Sequence, residues 1–307
     1  MLAPVFPALA QRPWWPYFLL TLGVFFLATD VIVGRLAGGV DVPPFGLGFW
    51  RVMGPALLLT PFQARALLAR RAVVRRHWPI LAVLGFCISA LGGSAIYLGL
   101  GLTSAVNAGV VLASQSAVMA FLGWAIFRDR ITGRQGVGLA IAAAGVLAVV
   151  ARGDVGVLLA LQPQVGDLLV FAGVIGYAAY IVLVRATPAE LSPYARLCVV
   201  SWFGALFAAP LYAWETLAGT PFPYTPASLA MIAWISVAVT ILAIGCLTVG
   251  ALRVGAYASS QFFYVRTVFV AALAILVLGE SVAAYHVAGL LLICAGIWLM
   301  QARRRAG

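Results

Sequence analysis

Three ionisable residues stand inside long apolar stretches of this 307-residue sequence: Asp30, Arg51 and Arg266. A charged side chain at the centre of a membrane helix costs about 2.5–3.5 kcal/mol even on an insertion scale. Such side chains usually face the interior of a helix bundle, where they find partners or line the path of an ion or solute. The chemistry they offer is charge pairing or the binding of a charged solute.

Asp30 and Arg51 are predicted to lie at a similar depth. Asp30 precedes the outer end of the first apolar stretch, and Arg51 follows the outer start of the second. At 1.5 Å per residue, both would lie roughly 10–12 Å below the outer surface. We expect a pair that is either structural or acts as a gate or proton site. The alternative is that Arg51 extends towards the interface and Asp30 caps nearby backbone.

Arg266 lies close to the predicted midplane, in the ninth apolar stretch. No acidic residue is an obvious partner at that depth. Its planar guanidinium could bind the carboxylate of a substrate. It could equally well donate to helix carbonyls and nearby hydroxyl groups, and the sequence leaves both interpretations open.

Aromatic and amide side chains accompany these charges. Gln261 and Tyr264 share one face of a helix with Tyr257, at helical spacing. We predict that eight side chains form the wall of a substrate site: Tyr97, Gln115, Tyr177, Tyr180, Trp202, Gln261, Tyr264 and Arg266. Such a wall suits an amphipathic organic solute and suits neither a bare ion nor a polyanion.

The elements that must position these residues are membrane helices. Only 9% of the residues are charged, 64% are hydrophobic and the mean hydropathy is +1.09, whereas a soluble domain is roughly a quarter charged. Apolar runs recur at the length of a membrane helix and do not alternate as the strands of a barrel do. We predict an all-α integral membrane protein with ten transmembrane helices at 15–36, 43–62, 79–99, 103–127, 136–151, 166–185, 194–213, 227–250, 255–278 and 284–301.

The net charge of +11 orients the chain and does not indicate nucleic acid as a partner. All 19 basic residues are arginine, and most fall in the loops on the side of Arg303–Arg305. Only Arg35 and Arg152 fall in the opposite loops. By the positive-inside rule we expect both termini to be cytoplasmic. The all-arginine, alanine-rich usage hints at a GC-rich bacterial genome, so we expect the bacterial inner membrane. The basic face would contact anionic lipid, and it lacks the interleaved aromatic residues suited to bases.

The sequence contains an internal repeat. Asp129 aligns with Glu280, and "LGVFFLATDVIVGR" aligns with "AGVIGYAAYIVLVR". The chain therefore reads as two five-helix units, 1–151 and 152–307, within one membrane domain. Because five is odd, the second unit enters from the opposite side, and such inverted repeats are common among secondary transporters. The glycines of helices 3 and 6 are interpreted as packing positions: Gly92, Gly93, Gly99, Gly101, Gly173 and Gly176.

Two motifs carry a resemblance to a known family. An acidic turn precedes a glycine-spaced helix twice, in "RDRITGRQGVGLAIAAAGV" and "GESVAAYHVAGLLLICAGI", and "GDLLVFAGVIGYAAYIVLVR" opens the second half. The chain resembles the EamA branch of the drug/metabolite transporter superfamily, and within it the YddG-type aromatic amino-acid exporters. The resemblance implies an exporter with a central cavity and with helices 5 and 10 at the periphery. The proline usual in helices 4 and 9 is missing, and Ser116 and Thr267 stand near those places.

Other classes of function find little support in the sequence. His77 and His286 are the only histidines, and the sequence has no HExxH or GxSxG motif and no paired carboxylates. The four cysteines show neither metal-ligand spacing nor a disulfide framework. We therefore expect no enzyme, metal or cofactor and no obligate protein partner. Export of other metabolites or cationic drugs is the nearest alternative, followed by a channel, a structural membrane subunit and an embedded enzyme.

Overall fold

The computed structural model describes residues 12–37, 42–103, 105–129, 132–151, 153–160, 162, 164–278 and 284–301. All regular structure in these residues is helical. Glu280, Arg152 and Arg303–Arg305, on which parts of the predicted repeat and orientation depend, lie outside the described residues, as do both chain ends.

Besides the short helices Arg71–Arg76 and Val155–Leu159, the described part of the chain has five long helical units in its first half. Two of them are composite. The third contains a π-helical middle, Cys87–Ala95, and the fourth is interrupted at Ser114. The units are α1 (Trp15–Ala37), α2 (Pro44–Ala69), α3 (Trp78–Gly101), α4 (Ala105–Ala113 and Gln115–Phe127) and α5 (Gly133–Val150).

The second half repeats this plan, including both irregularities. Its third unit has a π-helical middle, Ile235–Ile244, and its fourth is interrupted at Gln261. The units are α6 (Val165–Leu183), α7 (Pro193–Leu217), α8 (Pro226–Val254), α9 (Ala256–Ser260 and Phe262–Leu278) and α10 (Ala284–Gln301). Helices 4 and 9 are therefore locally irregular although both lack the proline, and Ser114 and Gln261 keep helical dihedral angles.

Seven helices of the described residues are long and apolar enough to cross a membrane, and they belong to α2 through α8. Shorter apolar helical stretches occur at Trp15–Asp30 and Val287–Leu299. In lipid a helix satisfies its own backbone groups, which explains why so apolar a chain forms helices throughout. The predicted all-α membrane class is confirmed, and the count of ten transmembrane helices stays a prediction.

Proline and hydroxyl residues mark where several helices begin. Pro44, Pro193 and Pro226 occupy the first turns of α2, α7 and α8, where a missing N–H has no helical partner to lose. Thr132 caps α5 by accepting from Gln135 N at 3.3 Å, and the Gln135 side chain accepts from Thr132 N at 2.8 Å. These local signals fix the helix starts that the apolar pattern alone leaves uncertain.

Helices that the repeat relates to one another run antiparallel. At one end of α2 and α7, Phe45 N donates to Glu215 Oε1 at 3.0 Å. Near their other end, Thr60 Oγ1 lies 3.6 Å from Cys198 Sγ. This antiparallel arrangement of counterparts is what an inverted repeat requires.

The pair α5 and α10 is antiparallel as well and is joined through glycine. A Cβ on Gly145 would lie 2.7 Å from Gly289 O, and a Cβ on Gly296 would lie 2.6 Å from Gly138 O. The repeat aligns Gly145 with Gly296 and Gly138 with Gly289, so the two contacts are equivalent. The helices approach so closely only because these positions lack a side chain.

Candidate functional site

A cavity lies where α1, α2, α4, α6, α8 and α9 meet. Its empty space, mouth included, is about 360 Å³. One acidic and two basic side chains face it together with an amide, two phenol rings and several apolar groups. The lining residues are Leu27, Asp30, Arg51, Gln115, Tyr177, Tyr180, Ile181, Ile244, Leu247, Phe263 and Arg266.

Arg51 is the centre of a polar cluster in this wall. Its Nη1 donates to Asp30 Oδ2 at 2.7 Å and to Tyr97 Oη at 2.8 Å. Tyr97 Oη in turn donates to Asp30 Oδ1 at 3.4 Å, and the Arg51 Cζ lies 5.6 Å from the ring centroid of Tyr177. The predicted contact between Asp30 and Arg51 is present, with Arg51 only 3% exposed and Asp30 13% exposed.

The π-helical middle of α8 holds Arg51 from the backbone side. Thr240 Oγ1 donates to Arg51 O at 3.1 Å, and Ser236 Oγ donates to Trp50 O at 3.4 Å. A π-segment inserts an extra residue into a helix and frequently marks a functional site. Here it aims two hydroxyl groups at carbonyls of a neighbouring helix, which fixes the height of Arg51 in the bundle.

Arg266 and Gln115 contribute polar groups of a different kind to the cavity. Within the described part of the chain, neither side chain has a hydrogen bond or an ion pair. Gln115 is 5% exposed, so its amide can serve only a molecule inside the bundle. The cavity thus combines an ion pair, Asp30 with Arg51, and a further guanidinium, Arg266, that forms no ion pair among the described residues.

Comparison with known proteins identifies the family. The EamA-like transporter family matches the chain twice, at residues 14–151 and 164–301. The chain belongs to this family. The two matches fall in the two halves given by the sequence repeat, so this EamA-like transporter is a membrane protein of tandem, related units.

Relatives and a solved structure agree with that assignment. YyaM of Bacillus subtilis (strain 168), named an uncharacterized transporter, is 29% identical over 193 residues, 58% of this chain and 61% of that protein, so the match spans less than two thirds of it. YetK of the same organism, also named an uncharacterized transporter, is 22% identical over 304 residues, covering 97% and 90%. A crystal structure with 17% identity superposes with a TM-score of 0.71 over 93% of this chain and 94% of the other. That likeness shows the fold.

The structure brings together most of the residues that the sequence indicated for the site of this EamA-like transporter. Gln115, Tyr177, Tyr180 and Arg266 line the cavity, and Tyr97 reaches it through its hydrogen bond with Arg51. Tyr180 Oη also lies 3.4 Å from Thr248 Oγ1 of α8.

Three residues of the predicted wall lie elsewhere. Tyr264 is 1% exposed and donates to Leu139 O of α5 at 3.2 Å. Gln261 is buried at the interruption of α9. Trp202 is 42% exposed, on the outside of α7, and donates to Thr60 Oγ1 at 2.9 Å.

Two acidic residues that sequence reasoning did not single out close helix ends. Glu215 of α7 is 5% exposed and accepts from Phe45 N at 3.0 Å and Gly46 N at 2.6 Å, at the start of α2. Asp167 accepts from Gln164 N at 2.8 Å and from Asn107 Nδ2 of α4 at 3.0 Å. Only eight acidic residues occur in the chain. The position of these two near the ends of apolar stretches could have marked them as helix caps.

A second ion pair lies away from the cavity, between the ends of α4 and α6. Arg185 Nη1 donates to Asp129 Oδ2 at 2.7 Å and Nη2 donates to Oδ1 at 3.4 Å. The Arg185 Cζ also lies 4.6 Å from the ring centroid of Phe127. Both side chains are about a quarter exposed, at 27% and 25%, so this pair ties two helix ends together at a more solvated place.

Proposed function

We propose that this transporter exports small amphipathic metabolites, above all aromatic or apolar amino acids, by alternating access through the central cavity. The observation that carries the proposal is the composition of the cavity wall. Leu27, Ile181, Leu247 and Phe263 offer an apolar surface beside the guanidinium of Arg266. An amino acid with an apolar side chain presents the complementary groups, a hydrophobic body and a carboxylate.

The proposed architecture is ten transmembrane helices in two inverted five-helix units, with both termini in the cytoplasm and the protein in the bacterial inner membrane. The antiparallel pairs α2 with α7 and α5 with α10 support the inversion. In inverted-repeat carriers the substrate lies at the interface of the repeats. The cavity fits that rule because its wall draws on helices of both halves.

Two observations favour a carrier over the alternatives. The excess positive charge of Arg266 beside the Asp30–Arg51 pair disfavours a cationic drug as the main substrate, because like charges repel strongly where water is scarce. The described residues contain no group of metal-ligating side chains, and the cavity wall offers no pair of nucleophile and base. Export is the direction typical of the relatives that the sequence resembles.

The experiment that tests the proposal is counterflow in proteoliposomes. Vesicles preloaded with an unlabelled compound are diluted into a trace of the labelled compound, across amino acids, sugars and cationic drugs. The proposal expects transient, saturable accumulation with phenylalanine, leucine and related amino acids. Counterflow with sugars or cationic drugs alone would show that the proposed substrate class is wrong. No counterflow with any compound would contradict the proposal that the protein is a carrier.

A further inference from the structure

The central cavity holds more positive than negative charge. Asp30 is the acidic residue among those that line it, whereas Arg51 and Arg266 are both basic. Asp30 and Arg51 neutralise one another across 2.7 Å, so the charge left over is that of Arg266. Arg266 is only partly exposed and has no ion-pair partner among the described residues, and a charge held away from bulk water without a close partner is costly. The solute that relieves this cost best is an anion.

A substrate ammonium group would find poorer partners in the same place. Both oxygens of Asp30 are engaged, one by Arg51 at 2.7 Å and the other by Tyr97 at 3.4 Å. An ammonium that approached Asp30 would compete with a formed ion pair and would lie near two guanidinium groups. Gln115 offers a neutral amide oxygen in the wall, which can accept from an ammonium without neutralising it.

We propose that the cavity recognises its substrate by the carboxylate and does not require an ammonium group. Apolar and aromatic monocarboxylates that lack the amino group are then substrates of the same site, and amines that lack the carboxylate are not. This inference rests on the proposed function, because it names the group by which the same cavity holds its solute. It widens the substrate class from amino acids to apolar monocarboxylates.

The apolar wall sets the other half of the specificity. Leu27, Ile181 and Leu247 lie on three different helices around the cavity, and Phe263 adds a ring from a fourth. These side chains favour a hydrocarbon or aryl body by removing it from water. A single uncompensated guanidinium matches one carboxylate, so a second anionic group on the solute would be left without a partner.

The test compares compounds that share one hydrocarbon body. Purified wild-type protein in detergent is titrated with phenylalanine, 3-phenylpropionate and phenethylamine, and then with leucine, 4-methylpentanoate and 3-methylbutylamine. Binding is measured as ligand-dependent thermal stabilisation, which avoids the passive leak of acids and amines across vesicles. We expect the two acids to bind at least as tightly as the matching amino acids, and the amines to bind about 10- to 100-fold more weakly, the equivalent of one charge-assisted hydrogen bond.

The possible outcomes separate this inference from the proposed function. Binding of the amino acids and amines without the acids would overturn the inference and leave the proposed function standing. Binding of the acids without the amino acids would support the inference and remove amino acids as the substrates. No stabilisation by any of the six compounds would contradict both.

Two variants, one in the cavity wall and one outside it, locate the effect. Arg266→Gln removes the uncompensated charge and is expected to weaken binding of the acids about 10- to 100-fold while leaving the amines unweakened. Arg65→Gln is the matched control, because it makes the same chemical change at an exposed residue outside the cavity wall and should keep the preference for acids over amines. An Arg266→Gln protein that elutes as a single folded species and keeps the full preference would overturn the role of Arg266. The wild-type titration tests the inference even if a variant fails to fold.

Discussion

Arg51 of α2 donates through a single nitrogen, Nη1, to both Asp30 of α1 and Tyr97 of α3, at 2.7 and 2.8 Å. Three successive helices therefore meet at one buried guanidinium. Because the Arg51 backbone carbonyl accepts from Thr240 of α8, the second half of the chain is joined to the same point. The ion pair therefore contributes to the packing of the bundle and also forms part of the cavity wall.

This arrangement predicts strong coupling between Asp30 and Arg51. Asp30→Asn or Arg51→Gln alone leaves a buried charge without its partner, so the double change should reduce the free energy of unfolding by less than the sum of the two single changes. We expect a coupling energy of about 1–3 kcal/mol from a double-mutant cycle, measured by unfolding in mixed micelles. A coupling close to zero would mean that the contact contributes nothing, and a charge reversal of both residues should restore more stability than either reversal alone.

The glycine contact between α5 and α10 predicts a loss of stability on adding one methyl group. A Cβ on Gly296 would lie 2.6 Å from Gly138 O and from Ala142 N, so Gly296→Ala must push two backbones apart. We expect a loss of about 1–3 kcal/mol. The matched control is Gly136→Ala on α5, where nothing lies within 4 Å of the new Cβ. It should leave stability unchanged or raise it by up to about 1 kcal/mol, and equal losses at both positions would exclude close packing as the cause.

Glu215 predicts a stability effect that depends on its role as a remote helix cap. Glu215→Ala removes the acceptor of Phe45 N and Gly46 N and should cost about 1–3 kcal/mol. Glu215→Gln keeps one acceptor oxygen and should cost less. The exposed Glu190 provides the control, since Glu190→Ala should leave the unfolding free energy unchanged. The account of Glu215 fails if the two alanine variants unfold alike.

The charge pattern predicts the orientation of the chain. Alkaline phosphatase fused after residue 307 should be inactive, because a cytoplasmic C-terminus keeps the enzyme reduced, whereas fluorescent protein at the same site should fold. A fusion after Asp154, between α5 and α6, should give the reverse. Phosphatase activity at the C-terminus would overturn the assignment by the positive-inside rule.

Sequence reasoning succeeded where depth in the membrane decides contact. Asp30 and Arg51 were expected to meet because both lie the same distance from one surface, and their atoms are 2.7 Å apart. The two-fold repeat likewise followed from aligned glycines, because close helix contacts demand a missing side chain at fixed positions. Both inferences need only the position of a residue along a regular helix, and the sequence gives that position directly.

Sequence reasoning placed Tyr264 and Gln261 on the cavity wall because helical spacing groups residues on one face but does not say which neighbouring helix that face meets. The backbone stays helical through Gln261, with φ −62° and ψ −31°, but the Tyr264 side chain donates to Leu139 O of α5 and so packs against α5 instead of the cavity. Ser116 Oγ donates to Ser260 O at 2.9 Å beside Gln261, which ties this part of α9 to α4. Glu215 was missed for another reason, since its partners lie far away in the sequence and periodicity carries no information on such contacts.

The central claim is that a carboxylate-bearing, apolar solute crosses the membrane through the cavity that contains Arg266. The most direct measurement is counterflow of labelled phenylalanine into proteoliposomes containing wild-type protein, Arg266→Gln or Arg65→Gln, with equal amounts of folded protein in each. Arg65 is exposed on α2 and lies outside the cavity wall, so Arg65→Gln makes the same chemical change away from the cavity. The account predicts counterflow with the wild type and Arg65→Gln, and a rate at least about 10-fold lower with Arg266→Gln. Equal rates in all three preparations would contradict it.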